Sequence, residues 1–411
     1  MTRSTRFLAK TLVITLFASI MFNAVIIPNA KQELLFISLF LVAAMSIYRF
    51  RVKTVSLIIL FTTFLVTLFY LTLGLIRGAT SQAVVQTLFI YIFSPILWLL
   101  VIDYFWQRYG VDFIIKSLAI CAIIACSTVP LFIYLFLNQG PESVAFFGGI
   151  PNVNITSSFS GVAMHVSGSF LFLISGFLGG YDVLRSRFFN IIVITALMIS
   201  VLFTGRTMAL ISLFLGFAFY LVHFIGQARL KNILALIALI FFMSGALIAT
   251  FSILDISIIQ LLLNHAEKVM GGDSARPEQA FALIEGAEDY FFIGAGHGLG
   301  VDYLRSEEFP WRYEAVYLAL LYKLGLVGLI VVILPFITCI FYFLHLIYRQ
   351  RANKYDRFFG VAILAVFLAG FTNPYPEAFS FQWMYLFPIY YFFRTYFWKR
   401  KEVSPLYLRR A

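Results

Sequence analysis

Apolar residues in this chain gather into long runs separated by short polar breaks. A helix needs roughly 17–25 consecutive apolar residues to cross a bilayer core. Twelve runs have about that reach: 11–28, 34–48, 55–76, 84–102, 113–137, 158–179, 188–204, 207–225, 230–251, 314–346, 357–372 and 378–398. The pattern predicts an all-α polytopic membrane protein, with residues 1–411 forming a single membrane domain of about 12 transmembrane helices. The first run follows Arg3, Arg6 and Lys10 in the manner of a signal peptide, but "IIPNA" is a poor cleavage site. It reads as an anchored first span.

Two breaks are long. Residues 138–157 are rich in Gly, Pro and Asn and carry no basic residue. Residues 252–313, between the ninth and tenth runs, hold ten acids and four bases, a net charge of about −6. A loop of that length in a compact protein is usually functional or disordered. Within it, "SARPEQAFALIEGAEDYFF" places Ala280, Leu283, Ile284, Ala287 and Phe291 at helical spacing, with Pro277 near the start and a glycine-rich exit. An amphipathic helix is predicted there.

Composition strengthens the membrane reading. The chain is 62% hydrophobic and only 12% charged, with 48 Phe. The net charge of +11 does not point to nucleic acid, because its distribution follows topology. With the N-terminus inside and alternating spans, inner segments carry 22 of the 30 Lys and Arg residues. That asymmetry is the positive-inside pattern and puts both termini on the cytoplasmic side. Cys121, Cys126 and Cys339 all fall within apolar runs, and no CxxC or Cys/His cluster suggests a disulfide or a metal; no cofactor is expected.

Charges on the outer side are few, and each is costly near lipid. Arg206, in "LFTGRTMALIS", stands between two apolar runs with almost no loop. It is either an interfacial arginine reaching for water or an anion clamp at a helix entrance. Arg276 opens the amphipathic helix, and either binds an anion there or pairs with Asp273 at the surface. Arg305 and Arg312 have Glu307 and Glu308 as neighbours and are weaker candidates for substrate binding. "GAGHGLG" (Gly294–Gly300) lacks the strand and long helix of a dinucleotide fold, so its glycines are read as letting the chain turn closely over the membrane surface. His297 within it is either a weak binding candidate that titrates near neutrality or, as loop histidines more often are, simply polar surface. His223 and His345 fall at inner helix ends, His165 in the sixth run and His265 in the outer loop.

Glu314 opens the tenth run. Helical geometry places residues 314, 317, 318, 321, 325 and 328 on one broad face, which reads Glu, Tyr, Leu, Leu, Gly, Gly. Gly325 and Gly328 would let a neighbouring helix approach closely. Glu314 is then either an N-terminal helix acid favoured by the dipole or a catalytic carboxylate.

Three outer features together resemble the bacterial O-antigen ligase and O-antigen polymerase superfamily. "TGRTMAL" is similar to the family's short Arg-Thr turn, and "SARPEQAFALIEGAEDYFFIGAGHG" to its Arg-led loop helix and the glycine-rich stretch after it. "EAVYLALLYKLGLVG" resembles its terminal motif, with Glu314 where ligases carry His and with Gly325 and Gly328 completing the spacing. "TNPYPEAFSFQWMY" resembles a family Asn-Pro segment. The resemblance implies about twelve spans, a periplasmic loop over 252–313 and a bacterial inner-membrane location with the active site on the periplasmic side. It implies an enzyme: a glycosyltransferase of polysaccharide polymerase type, independent of metal. Glu314 would be the general base, and Arg206 and Arg276 would bind the diphosphate of an undecaprenyl-diphosphate-linked oligosaccharide donor. Tyr317 would line the path of the glycan acceptor or the lipid. A chain-length regulator protein is a further partner that it suggests. Glutamate in place of histidine favours a polymerase over a ligase that transfers glycan to lipid A-core. A transporter or flippase is the reading from another class, but it calls for midspan ionisable groups, and these are nearly absent.

Overall fold

The structure, a computed structural model, describes residues 3–27, 31–46, 52–144, 166–204, 206–225, 275–305 and 307–398. Every regular element among them is helical, and no strand occurs. The order is α1 (Arg3–Ile26), α2 (Lys31–Ser46), α3 (Thr54–Ile76), α4 (Ser81–Leu88), a π-helical turn (Phe89–Phe93) and α5 (Ser94–Gln139). After it come α6 (Ser167–Gly179), α7 (Arg187–Leu202), α8 (Thr207–Ile225), α9 (Ala275–Asp289), α10 (Val316–Tyr348) and α11 (Lys354–Ala369). Two 3₁₀ turns, Tyr375–Glu377 and Phe379–Phe381, lead into α12 (Trp383–Phe392).

The expectation of about twelve membrane-crossing helices is not met. Among the described residues, three helical stretches are long and apolar enough to cross a membrane: Thr54–Ile76, Ser81–Gln139 and Val316–Tyr348. The runs 84–102 and 113–137 share the second of these, which is interrupted at Gly110, where φ is 77°. Other runs are apolar because protein, rather than lipid, surrounds them. Helix α6 has 13 residues, about 20 Å of rise against a hydrocarbon core of about 30 Å, and every one of them is buried. Its neighbours are α7, α8 and α11. A helix that is apolar all round and so enclosed is a core helix. Helices α7, α11 and α12 have only 16, 16 and 10 residues. The run 230–251 and the loop residues 252–274 lie outside the described residues, as do His165, His265 and Asp273.

Exposed large apolar side chains are most numerous on two helices. On α3, Phe61, Leu65 and Phe69 are exposed, and on α10, Val327, Ile330 and Leu334. Exposed apolar faces of this extent mark contact with a membrane or a partner. The chain thus carries apolar helices consistent with membrane association. Around them a broad aromatic core ties α1, α5, α6, α11 and α12 together through Phe17, Phe105, Phe172, Phe358 and Trp383. Helices α6 and α11 meet closely, Gly179 lying against Val361 where a Cβ would collide at 2.5 Å.

Candidate functional site

The segment "GAGHGLG" passes between α3 and α10. Helix α10 is broken at Gly325, whose φ of 62° suits glycine, and the break leaves carbonyls of the preceding turn free to accept. The N–H groups of Ala295 and Gly296 donate to the carbonyls of Tyr322 and Lys323 at 2.7 and 2.9 Å. The N–H of His297 donates to the Tyr70 carbonyl on α3 at 2.9 Å, and that of Leu326 to the Phe292 carbonyl at 2.8 Å. Arg77, at the end of α3, closes the crossing by donating to the carbonyls of Gly294 and Ala295 at 2.7 and 2.9 Å. A Cβ on Gly74 would land on the His297 backbone, and one on Gly325 on the carbonyls of Phe292 and Ile293. Gly325 therefore serves the passage of a loop. Gly328 does meet a neighbouring helix, lying against the Tyr70 ring of α3.

This crossing carries the His297 side chain inward. It is buried, its ring 4.7 Å from that of Tyr91. Burial lowers its pKa to about 3; the Lys323 charge acts the same way, against an opposing pull from Glu377. The expectation of a surface histidine titrating near neutrality is thus corrected, and the reason is desolvation.

Beside His297 lies a buried ion pair that the sequence reading passed over. Lys323 Nζ donates to Glu377 Oε1 at 3.1 Å, with side-chain exposures of only 4% and 3%. Tyr91 Oη donates to the same oxygen at 2.5 Å. Burial alone would raise the Glu377 pKa, but Lys323, Tyr91 and Arg312 outweigh it and hold the carboxyl below its ordinary value. Lys323 was legible as the one Asp, Glu, Lys or Arg residue between Glu314 and Arg349. Glu377 was hidden in the Asn-Pro segment.

The turn bearing Glu377 is anchored on the π-helical turn between α4 and α5. Gln382 Nε2 donates to the carbonyls of Ile90 and Pro376 at 2.8 and 3.2 Å, and Ser94 Oγ donates to Gln382 Oε1 at 2.5 Å. Trp98 Nε1 donates to the Phe379 carbonyl at 2.8 Å. The wider winding of a π turn makes such a carbonyl available, a feature often found at functional sites.

Tyr375 stands two residues before Glu377 and is half-buried in the turn. Burial raises its pKa, while the Arg206 charge pulls it down and the Glu314 charge pushes it up. The charges of two of the sequence candidates thus both act on Tyr375. Arg206 is exposed, immediately before α8. Glu314 precedes α10 rather than lying within it, so the helical face expected to join it to Tyr317 begins at Val316 instead. Its carboxylate takes a hydrogen bond from Arg305 at 2.9 Å, both side chains remaining partly exposed. Gln279 of α9 receives the backbone N–H groups of Glu314 and Ala315 at 2.9 and 3.0 Å, and so caps the entrance to α10. Tyr317 donates to the Phe367 carbonyl on α11 at 2.8 Å and packs on Phe371. Arg312 lies over the Phe309 ring at 5.5 Å, close enough to Glu377 for its charge to act there. Arg276 is the second residue of α9, and its side chain lies outside the described residues.

Of these groups, four line a cavity of about 460 Å³, and Arg206 and Glu314 are not among its lining residues. Its walls are mainly apolar, from α3 (Ile59, Val66), α10 (Leu320, Leu324) and α12 (Leu386, Ile389). Its polar lining includes Tyr91, His297, Tyr317 and Gln382. The volume is in the range of small-ligand sites, and an apolar body with a few polar groups suits an amphiphile.

No protein-family model, curated protein or solved structure matches this chain. The resemblance to the O-antigen ligase and polymerase superfamily is not upheld: that architecture requires about twelve spans, and three candidate spans are found among the described residues. Polymerisation or ligation of lipid-linked glycans at a periplasmic face, and transport through a many-span bundle, were inferred for such an architecture and lapse with it.

Proposed function

We propose that this chain is a membrane-associated enzyme that acts on the polar head of a long-chain lipid, by glycosyl transfer. The observation that carries this reading is the apolar cavity between α3, α10 and α12, capped by Tyr91, His297 and the turn that holds Tyr375 and Glu377. A lipid chain fits the cavity walls, and the turn at their head meets the lipid's polar group. Glu314 takes the proton from an acceptor hydroxyl as the hydroxyl oxygen attacks the anomeric carbon. The bond from that carbon to the lipid phosphate breaks, and its electron pair leaves with the phosphate oxygen. Arg206, whose charge acts on Tyr375 as that of Glu314 does, offsets the developing charge. The Lys323–Glu377 pair fixes the turn rather than reacting, since both charges are already matched and buried.

The orientation proposed puts the Glu314 end of α10 on the outer side of a bacterial cytoplasmic membrane. Arg349, Arg351, Lys354 and Arg357 gather at the opposite end of that helix, and basic residues favour the inner side. The basic segments at both chain ends would share that inner side.

The test is transfer of a radiolabelled sugar from a polyprenyl-phosphate carrier to a soluble sugar by the reconstituted protein. Glu314→Gln is expected to lower kcat by about 10²–10⁴ and Arg206→Gln by about 10²–10³. EDTA is expected to leave the wild-type rate unchanged. Transfer by Glu314→Gln at the wild-type rate would remove Glu314 from the mechanism, and no transfer by the wild-type protein would remove the reaction.

A further inference from the structure

A second cavity, of about 220 Å³, opens at the other end of α11, between the middle of α5 and the turn joining α6 to α7. Three cations line it, Lys116, Arg185 and Lys354, with one carboxylate, Asp112. Lys354 is held in place: its Nζ donates to the Val183 carbonyl at 3.2 Å and lies 4.9 Å from the Tyr355 ring centroid. Asp112 accepts a hydrogen bond from Tyr355 Oη at 2.5 Å. Among the described residues, no hydrogen bond or ion pair engages Lys116 or Arg185.

The frame around these cations is rigid. The buried Asn190 amide receives the Leu184 N–H at 3.3 Å and donates to the Leu184 carbonyl at 3.1 Å, which fixes the turn just before Arg185. Asp182, the nearest other acid on that turn, is taken up by Arg357 at 2.6 Å and does not neutralise the cavity. A fixed recess with three cations to one acid suits a phosphate group, whose oxygens match a guanidinium fork and two ammonium groups. General attraction of basic residues to the inner surface accounts for the charges, but not for their convergence on one preformed recess.

We propose that this cavity binds a phosphate group, held by Lys116, Arg185 and Lys354. The phosphate could belong to a phospholipid headgroup or to a free anion, and the experiment separates the two. The purified full chain in a nonionic detergent is titrated with inorganic phosphate. In a second arm it is titrated with mixed micelles containing phosphatidic acid, against micelles of phosphatidylcholine alone. Binding of inorganic phosphate assigns a free anion, and binding of phosphatidic acid alone assigns a lipid headgroup. In whichever arm binds, Lys116→Gln with Arg185→Gln is expected to weaken affinity at least fivefold. Asp112→Asn, which removes the opposing charge and keeps an acceptor for Tyr355, is expected to tighten it at least twofold. No binding in either arm overturns the proposal. So does a loss below fivefold in a folded double variant, or an affinity for Asp112→Asn that is unchanged or weaker.

Discussion

Replacing Lys323 with Met keeps the length of an apolar stem and removes its charge. Glu377 would then be left almost fully enclosed, with Tyr91 as its remaining hydrogen-bond donor from the pair's own cluster. Removing one partner of a buried ion pair typically costs about 3–5 kcal/mol, because the other charge keeps its desolvation penalty without its attraction. The Tyr91 hydroxyl stays in place at 2.5 Å and offsets part of this, so a loss near the lower end, about 3 kcal/mol, is expected for Lys323→Met. Adding Glu377→Gln removes the stranded charge while keeping an acceptor for Tyr91. The double variant should therefore recover about 2 kcal/mol relative to Lys323→Met. Denaturant unfolding in detergent, run as a double-mutant cycle, measures both quantities. A cost below about 1 kcal/mol for Lys323→Met, or strictly additive losses in the double variant, would refute the claim that the pair is coupled in a low-dielectric interior.

Gly325→Ala should destabilise by about 3 kcal/mol or more in the same assay, since it combines a left-handed φ with a collision against the Phe292 and Ile293 carbonyls; a loss under about 1 kcal/mol would deny the crossing. Gln279→Ala should cost about 1–2 kcal/mol by removing the oxygen that two N–H groups share at the mouth of α10, and hydrogen exchange at Glu314 and Ala315 should rise with it. Stability should also fall on acidification below pH 6.5. The His297 pKa is depressed to about 3 in the folded chain, so between those values the unfolded chain binds the extra proton. One such proton gives a slope of at most about 1.4 kcal/mol per pH unit. Comparison of unfolding curves at pH 7 and pH 4.5 for wild type and His297→Phe should show a smaller acid loss in the variant; equal losses would contradict the assignment.

The sequence displayed its helices more readily than their surroundings. Hydropathy locates α3 and α10 to within two residues, because their apolar runs continue out to exposed apolar side chains. The same signal cannot tell those helices from α6, which is as apolar but wholly enclosed by α7, α8 and α11. Lipid and protein interior both reward apolar residues, so counting runs overcounts spans. At the site, Arg206 and Glu314 stood out as costly charges near apolar runs, and in the fold both charges act on Tyr375. What connects them was not legible. The partnership of Lys323, Glu377 and Tyr91 joins residues up to 286 positions apart. The inward path of His297 depends on Gly325 breaking α10 and on Gly74 making room in α3, and no local pattern records such a crossing.

The most direct test of the account is to ask where a lipid chain lies on the protein. A polyprenyl phosphate bearing a photoactivatable group along its chain would be crosslinked to the reconstituted protein and the adducts mapped. On this account, a lipid chain seated in the cavity gives adducts on the cavity-lining residues Thr62, Leu320 and Ile389, and fewer of them in Leu320→Trp, whose larger side chain intrudes on that space. Adducts confined to outward-facing residues such as Phe61, Phe69 and Val327, and indifferent to Leu320→Trp, would contradict it.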